Sequence, residues 1–299
     1  GTGDIAPYIY QGTQYGYTSG SGDPTSAPAG TAIEKHSYTS DGNATDHADL
    51  AALRASCAGH SSATYGYTSG GGGPNHFIEK FLFSSGANSV NTGYQLSGGD
   101  VGRNGIGTTS TATHGYCAGG SSTNVIDRFS YSTDGTATDV GDLLQSKYSN
   151  AGASGETYGY NMGGTSPDVN VIQKFAFGSS ADATDVGDLT TVVAGATGHQ
   201  SSTHGYKAGG SVNGTYTTGA DSIQKWTFAS DADATNVGTT TVGRFQHASG
   251  SSTTHGYASG GNAGSSGNVI EKFTFASDAA ATDVGDLVIS RGYLCGQQY

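Results

Sequence analysis

The chain has 299 residues, 51 of them glycine, with only 12% charged residues and a formal net charge of −12. That balance excludes an electrostatic grip on nucleic acid or on anionic lipid, and no apolar run approaches the length that spans a bilayer. Tyrosine (18) and phenylalanine (10) recur at fixed places, which excludes ordinary disorder, and three scattered cysteines, Cys57, Cys117 and Cys295, make neither a disulfide framework nor a zinc site.

In chain order, a Gly-Tyr box opened by an aromatic or a His falls at Tyr15, Tyr65, His114, Tyr158, His204 and His255, at intervals of 50, 49, 44, 46 and 51 residues. Periods of this size belong to propeller blades or helical repeats. Gly, Thr and β-branched content, with no Ala-Leu-Glu-Lys amphipathic pattern, excludes the helical option. Each repeat reads as four short strands. In the last complete one they are predicted at residues 246–252, 254–260, 268–276 and 282–288, with a polar turn at 277–281. The expectation is all-β: one six-bladed β-propeller domain over residues 1–299, with four antiparallel strands per blade. Its ring closes by pairing the two ends of the chain. Residues 5–13 and residues 291–299 both align with a first strand, so one of them is displaced or the natural chain continues.

The basic residues follow the repeat. Six of the twelve are Lys35, Lys80, Arg128, Lys174, Lys225 and Lys272, in an Ile-acid/amide-base-aromatic box on the third strand. Five more, Arg54, Arg103, Lys147, Arg244 and Arg291, follow the fourth strand, where the fifth repeat has Val193. Only Lys207 lies outside both sets. Bases repeated once per blade are expected to be structural, with Asp49, Asp142, Asp188 and Asp286 as predicted partners; the functional alternative is a cation ring at the pore mouth. The turn Asp41-Gly42-Asn43-Ala44-Thr45-Asp46, with cousins at 134–139, 231–236 and 278–283, superficially resembles a calcium loop. A calcium site needs six to eight oxygen ligands, however, and here Ser180 and Ala280 replace oxygens, so Asx-turns are expected. No cofactor is predicted. His114, His204 and His255 share a slot with tyrosines and read as packing residues. His60, His199 and His247 fall on inner strands at two different repeat positions, which argues against a metal site. No Gly-x-Ser-x-Gly elbow or Walker loop stands out.

An Arg, a His-Ala-Ser, a turn, Gly-Tyr and Gly-Gly (Arg244, His247–Ser249, Gly256-Tyr257, Gly260-Gly261) resemble the first two strands of kelch repeats. The double Gly recurs at Gly70-Gly71, Gly119-Gly120, Gly163-Gly164 and Gly209-Gly210. The pattern departs at the usual fourth-strand Trp, replaced by Val-Gly; Trp226 sits in a third strand. The resemblance implies a kelch-like propeller. The wording Ser-Asp-x-x-Ala-Thr-Asp-Val-Gly-Asp-Leu with Ser-Ser-Thr-His-Gly-Tyr resembles repeats of tailed-phage virion proteins, which implies a fibre, spike or decoration component. Copper oxidases of the galactose-oxidase type also use kelch-like propellers, and they need His and Tyr ligands near the axis.

Specificity is expected where the repeat breaks, in the connections between second and third strands. These are residues 21–31, 72–76, 121–124, 165–170, 211–222 and 262–268. The candidate ligand-binding residues in and near them are Asp23, Asp168, Asn170, Lys207, Asn213, Tyr216 and Asp221. Tyr with Ser, Gly and Asn suits adaptable polar contacts such as sugar hydroxyls. The expectation is a non-enzymatic virion or extracellular surface protein that binds a cell-surface glycan or decorates a particle. The alternatives are a cement or filament subunit contacting copies of itself or other virion proteins, and, less favoured, an axial metal oxidase.

Overall fold

The computed structural model of the chain describes residues 10–21, 30–72, 77–97, 102–121, 123–212, 220–262 and 267–299. They form six four-stranded antiparallel sheets, the blades of a β-propeller, and the described residues contain no helix. Blade one holds β1 (Tyr15–Ser19), β2 (Ala32–Ser37) and β3 (Thr45–Asp49), and its innermost strand is the last of the chain, β26 (Cys295–Gln298). Blade two is β4 (Ala58–Ser61), β5 (Tyr65–Ser69), β6 (Phe77–Leu82) and β7 (Val90–Gln95). Blade three is β8 (Gly107–Ser110), β9 (His114–Ala118), β10 (Thr123–Ser130) and β11 (Thr138–Lys147). Blade four is β12 (Ala151–Ser154), β13 (Tyr158–Met162), β14 (Val171–Ala176) and β15 (Thr184–Asp188). A short ladder of β16 (Val193–Ala194) with β19 (Ser211–Val212) precedes and flanks blade five. That blade is β17 (Thr197–Gln200), β18 (His204–Ala208), β20 (Ser222–Thr227) and β21 (Thr235–Thr239). Blade six is β22 (Ala248–Ser251), β23 (His255–Ser259), β24 (Val269–Thr274) and β25 (Thr282–Asp286).

The chain's tail wins the contest for the closing strand. Cys295–Gln298 pairs antiparallel with β1, from Ser19↔Cys295 to Gly16↔Gln298. The beginning is displaced. Tyr10, Gln11 and Gly12 run under the ring, with Gly12 bridged to Ser252 and the Tyr10 carbonyl held by Gln200 Nε2 and Gln298 Nε2 (2.8 Å for the latter). Most of residues 5–13 lies outside the described residues.

The core is divided among the blade interfaces. Each buried Tyr of a Gly-Tyr box packs on an aromatic from the next blade. The ring centroids are 4.9 Å apart for Tyr17–Phe83, 4.6 Å for Tyr67–Tyr131 and 4.9 Å for Tyr116–Phe177. They are 4.7 Å apart for Tyr160–Phe228, 4.8 Å for Tyr206–Phe275 and 4.4 Å for Tyr257–Tyr38. Such a pair adds about 0.5–1.5 kcal/mol beyond its buried area, and the ring makes it at every interface. The Gly before each Tyr is needed for close approach: a Cβ on Gly205 would overlap the Trp226 indole, and one on Gly159 the Phe175 ring.

Polar groups complete the same interfaces. The acid or amide of each Ile box accepts a hydrogen bond from a backbone N–H of the previous blade, just past its fourth strand or, for Leu144, within it. The donors are Ala51 to Glu79, Ser97 to Asp127, Leu144 to Gln173, Thr190 to Gln224, Thr241 to Glu271 and Val288 to Glu34. Where that residue is an acid, its other role is to meet the buried Arg. Arg54–Glu79 (2.7 Å), Arg244–Glu271 (3.1 Å), Arg291–Glu34 (3.1 Å) and Arg103–Asp127 are the four pairs. These partners replace the predicted Asp49, Asp142, Asp188 and Asp286. The reason is geometric, because the guanidinium turns inward along the interface to the next blade's third strand, whereas those Asp residues sit on outer strands. Four of the six Ile-box bases point outward and reach the turn of the next blade: Lys80–Asp134, Lys174–Asp231, Lys225–Asp278 and Lys272–Asp41, each at 2.5 Å. The first oxygen of each calcium-like turn is therefore already engaged by an ammonium.

Candidate functional site

One residue per blade, just before the inner strand, takes the left-handed conformation: Ser56, Gly105, Ser149, Gly195, Gln246 and Tyr293, with φ between 54° and 65°. For a non-Gly residue this costs on the order of 1–2 kcal/mol. The turn points backbone groups around the ring, and each blade is hydrogen-bonded to the next there. The steps are Ser56 N–H to Tyr293 O, Gly105 to Ser56, Asn150 to Gly105, Gly195 to Ser149, Gln246 to Gly195 and Leu294 to Gln246, at 2.7–3.4 Å. This closed circlet frames the mouth of an axial cavity.

The cavity measures about 80 Å³, and its walls include Cys57, Asn150, Thr197, His247 and Cys295. Its floor is the ring Gly59, Thr108, Gly152, Gly198, Ser249 and Gly296, where inner strands approach so closely that a Cβ on Gly198 would overlap the Gly152 carbonyl. Below the floor the channel is stopped by Tyr10, whose hydroxyl donates to Ser61 Oγ at 2.7 Å. Pockets that take drug-sized ligands run to about 300–1,000 Å³, so this cavity suits a handful of waters or a very small solute and not a sugar ring.

The histidines near the axis bond to separate partners and do not converge. His60 Nδ1 meets the Thr109 carbonyl at 3.3 Å and its Nε2 the Ser69 hydroxyl at 3.0 Å. His199 Nδ1 donates to the Gly250 carbonyl (3.1 Å), so its Nε2 must accept from Thr197 Oγ1 (3.1 Å). Thr197 in turn accepts from His247 Nε2 at 2.6 Å, which leaves His247 Nδ1 a bare, buried lone pair. Burial pushes His60 and His199 down to about 4, and burial with Arg244, His199 and Lys207 nearby holds His247 well below the ordinary range. All three are neutral at pH 7. Among the described residues no three His, Cys, Asp or Glu side chains are grouped to hold a metal.

The variable connections stand on the same face as the cavity mouth, because they are bonded to the linkers that form it. Gly72 N–H donates to the Ala55 carbonyl (2.8 Å), Ser121 to Asn104 (3.0 Å) and Thr165 to Tyr148 (2.8 Å). Asp168 is exposed there and accepts from Thr165 Oγ1. Asn170 is half-buried, its amide donating to the Leu189 carbonyl at 3.1 Å. Asp221 is exposed at the foot of its loop, where its carbonyl accepts from Thr240. Asp23, Asn213 and Tyr216 lie outside the described residues. Lys207 is a correction: it is fully buried on β18, not on the loop, and its Nζ bonds Ser222 O (3.1 Å) and Ser222 Oγ (2.8 Å). The equivalent carbonyls, Val125 and Val269, accept from Arg103 and Arg244. Lys207 thus replaces, from the second strand, the Arg that Val193 removes from the linker.

Comparison with protein-family models and with curated proteins returns no match. The class defined by the structure is a six-bladed all-β propeller with a narrow, plugged axis and a face of non-repeating loops.

Proposed function

We propose that the protein is a non-enzymatic surface module of a virion or other extracellular particle, a kelch-like propeller that binds cell-surface glycan through its loop face. One observation carries this reading. The linker Arg residues and most Ile-box bases are consumed by inter-blade ion pairs, and the outer-strand Asp residues only repeat from blade to blade, so the exposed polar side chains that can single out a ligand, such as Asp168 and Asp221, are those of the loops. The resemblance of the repeat wording to tailed-phage fibre, spike and decoration proteins supports the virion setting. Copies on one particle multiply weak sugar contacts into avidity.

Two other readings have less support. A cement or filament subunit joined by blade edges has to pair outer strands that carry exposed Asp46, Asp139, Asp185 and Asp283, and like charge on an edge opposes strand addition. An axial oxidase needs convergent ligands, and His60 stands in blade two while His199 and His247 share a threonine elsewhere. The test is a glycan array and cell-binding assay with the multimerised protein. Saturable binding is expected, weakened about tenfold or more (about 1.4 kcal/mol) in a D168A/D221A variant that melts like the parent. Absence of binding to every glycan and every cell type sinks the proposal.

A further inference from the structure

We propose that Cys57 and Cys295 become a disulfide in an oxidising milieu, and that this bond clasps the strand that closes the ring. Cys295 opens β26, whose pairing with β1 closes the propeller, and Cys57 stands in the linker that enters β4 of the neighbouring blade. The two Sγ atoms are 2.7 Å apart and both residues are buried. That is inside the contact distance of two unbonded sulfurs, so only a shift of well under 1 Å separates the pair from the roughly 2.05 Å of a disulfide. The pair spans 238 positions of sequence, so nothing in the spacing of three thiols announces it. Cys117 is no competitor: it sits on β9 against Ser69 and His60.

Access comes from the axis. Both Cys57 and Cys295 line the cavity at the centre of the loop face, whose volume of about 80 Å³ admits a peroxide but not a bulky disulfide reagent. Hydrogen peroxide is accordingly the oxidant. One thiol sulfur, losing its proton, attacks a peroxide oxygen; the O–O bond breaks, the first water leaves and a sulfenic acid forms. The second sulfur attacks the sulfenic sulfur, the S–O bond breaks and the second water leaves. The pair gives up two hydrogens and two electrons, and the peroxide is reduced to water. The product joins blade one's innermost strand covalently to blade two, where the closing strand is otherwise held by hydrogen bonds and packing.

The test uses the whole protein, reduced, desalted and treated with hydrogen peroxide. Titration under denaturing conditions is expected to fall from three free thiols to one. Non-reducing peptide mass spectrometry should find Cys57 linked to Cys295, with a rise in Tm that dithiothreitol reverses. Cys117→Ser should behave like the parent, and Cys57→Ser and Cys295→Ser should show neither the link nor the Tm response. Three thiols remaining after treatment, sulfinic acid in place of the link, or a link that leaves Tm unchanged each overturn the proposal.

Discussion

Replacing Arg244 by Val and Glu271 by Gln transplants into blade six the pair that blade five already carries, Val193 with Gln224. In the parent, Glu271 Oε2 accepts from Thr241 N–H and Oγ1 at 2.6 Å, while Arg244 donates to the Gly260 and Val269 carbonyls at 2.9 and 3.0 Å. Burial lowers the Arg244 guanidinium, and at the sister interface it raises Glu34 and lowers Arg291. These directions mark the desolvation cost of a buried ion pair, which is why such a pair adds little net stability yet is expensive to break from one side. R244V alone leaves a buried carboxylate and is expected to cost about 3–5 kcal/mol. E271Q alone leaves a buried guanidinium and costs about 2–3 kcal/mol. In the double variant the new Gln keeps the bond to Thr241 N–H, and the chief loss is the orphaned Gly260 carbonyl, about 1–3 kcal/mol. The singles thus overshoot the double by about 4 kcal/mol. Urea unfolding followed by fluorescence of Trp226, the single and buried tryptophan, measures the cycle. A coupling below about 0.5 kcal/mol, the range of independent sites, refutes the dependence of Arg244 and Glu271 on each other.

Three further outcomes follow from the same contacts. His36 fills the Ile-box slot that holds Phe81, Phe129, Phe175, Trp226 or Phe273 in other blades, and both its ring nitrogens are buried without a partner. Burial pushes it down to about 4, below the unfolded 6.5, so the unfolded state binds the extra proton and stability falls as pH drops from about 6.5 to about 4. The loss reaches about 3 kcal/mol at pH 4 for this one group, and His36→Phe should raise Tm at pH 5 more than at pH 8; an equal rise at both refutes the titration argument. Ser180→Asp restores the missing acid opposite Arg128 and should add no more than about 1 kcal/mol, lost in high salt, read by thermal melts at two ionic strengths. Gly198→Ala drives a methyl into the Gly152 carbonyl on the axis and should abolish soluble folded protein, whereas Ser249→Gly, at the equivalent position, should still fold.

The fold was legible because its devices are repeated in a readable form. Gly-Tyr and Ile with an aromatic or His three places on stand at blade intervals, Val-Gly recurs in four blades, and the strands of blade six fall inside the predicted spans. Partners were not legible. Whether Arg244 meets Asp286 or Glu271 depends on which strand of which blade faces the linker, and each of the two slots holds an acid in four of the six repeats. The cavity mouth was hidden for another reason. Its left-handed positions hold Ser, Gly, Ser, Gly, Gln and Tyr, so only two of six carry the residue that betrays such a backbone. Lys207 reads as a stray base beside a loop until its ammonium is found on the carbonyl that Arg serves in other blades.

The departures from the repeat gather at blades four and five, and they bear on function. At the Arg position of the linker, blade four has Lys147, fully buried with no partner for Nζ and pushed by burial down to about 7, opposite Gln173, whose Nε2 is also unmatched. Blade five has Val193, and there the linker makes a ladder instead: Val193↔Val212 and Ala194↔Ser211 extend the single bridges seen at Tyr148↔Thr165 and Phe245↔Asn262. The ion pair is thus exchanged for a strand that roots the long 211–222 connection, while Lys207 takes over the freed carbonyl. A drifting, idle loop gives no reason to rebuild the interface beneath it in three coordinated changes. A loop whose base must be held against a ligand does, so alanine at Asp221 on this rooted loop is expected to weaken glycan binding more than alanine at Asp168, measured on the array; the reverse order refutes a leading part for blade five in the proposed glycan contact.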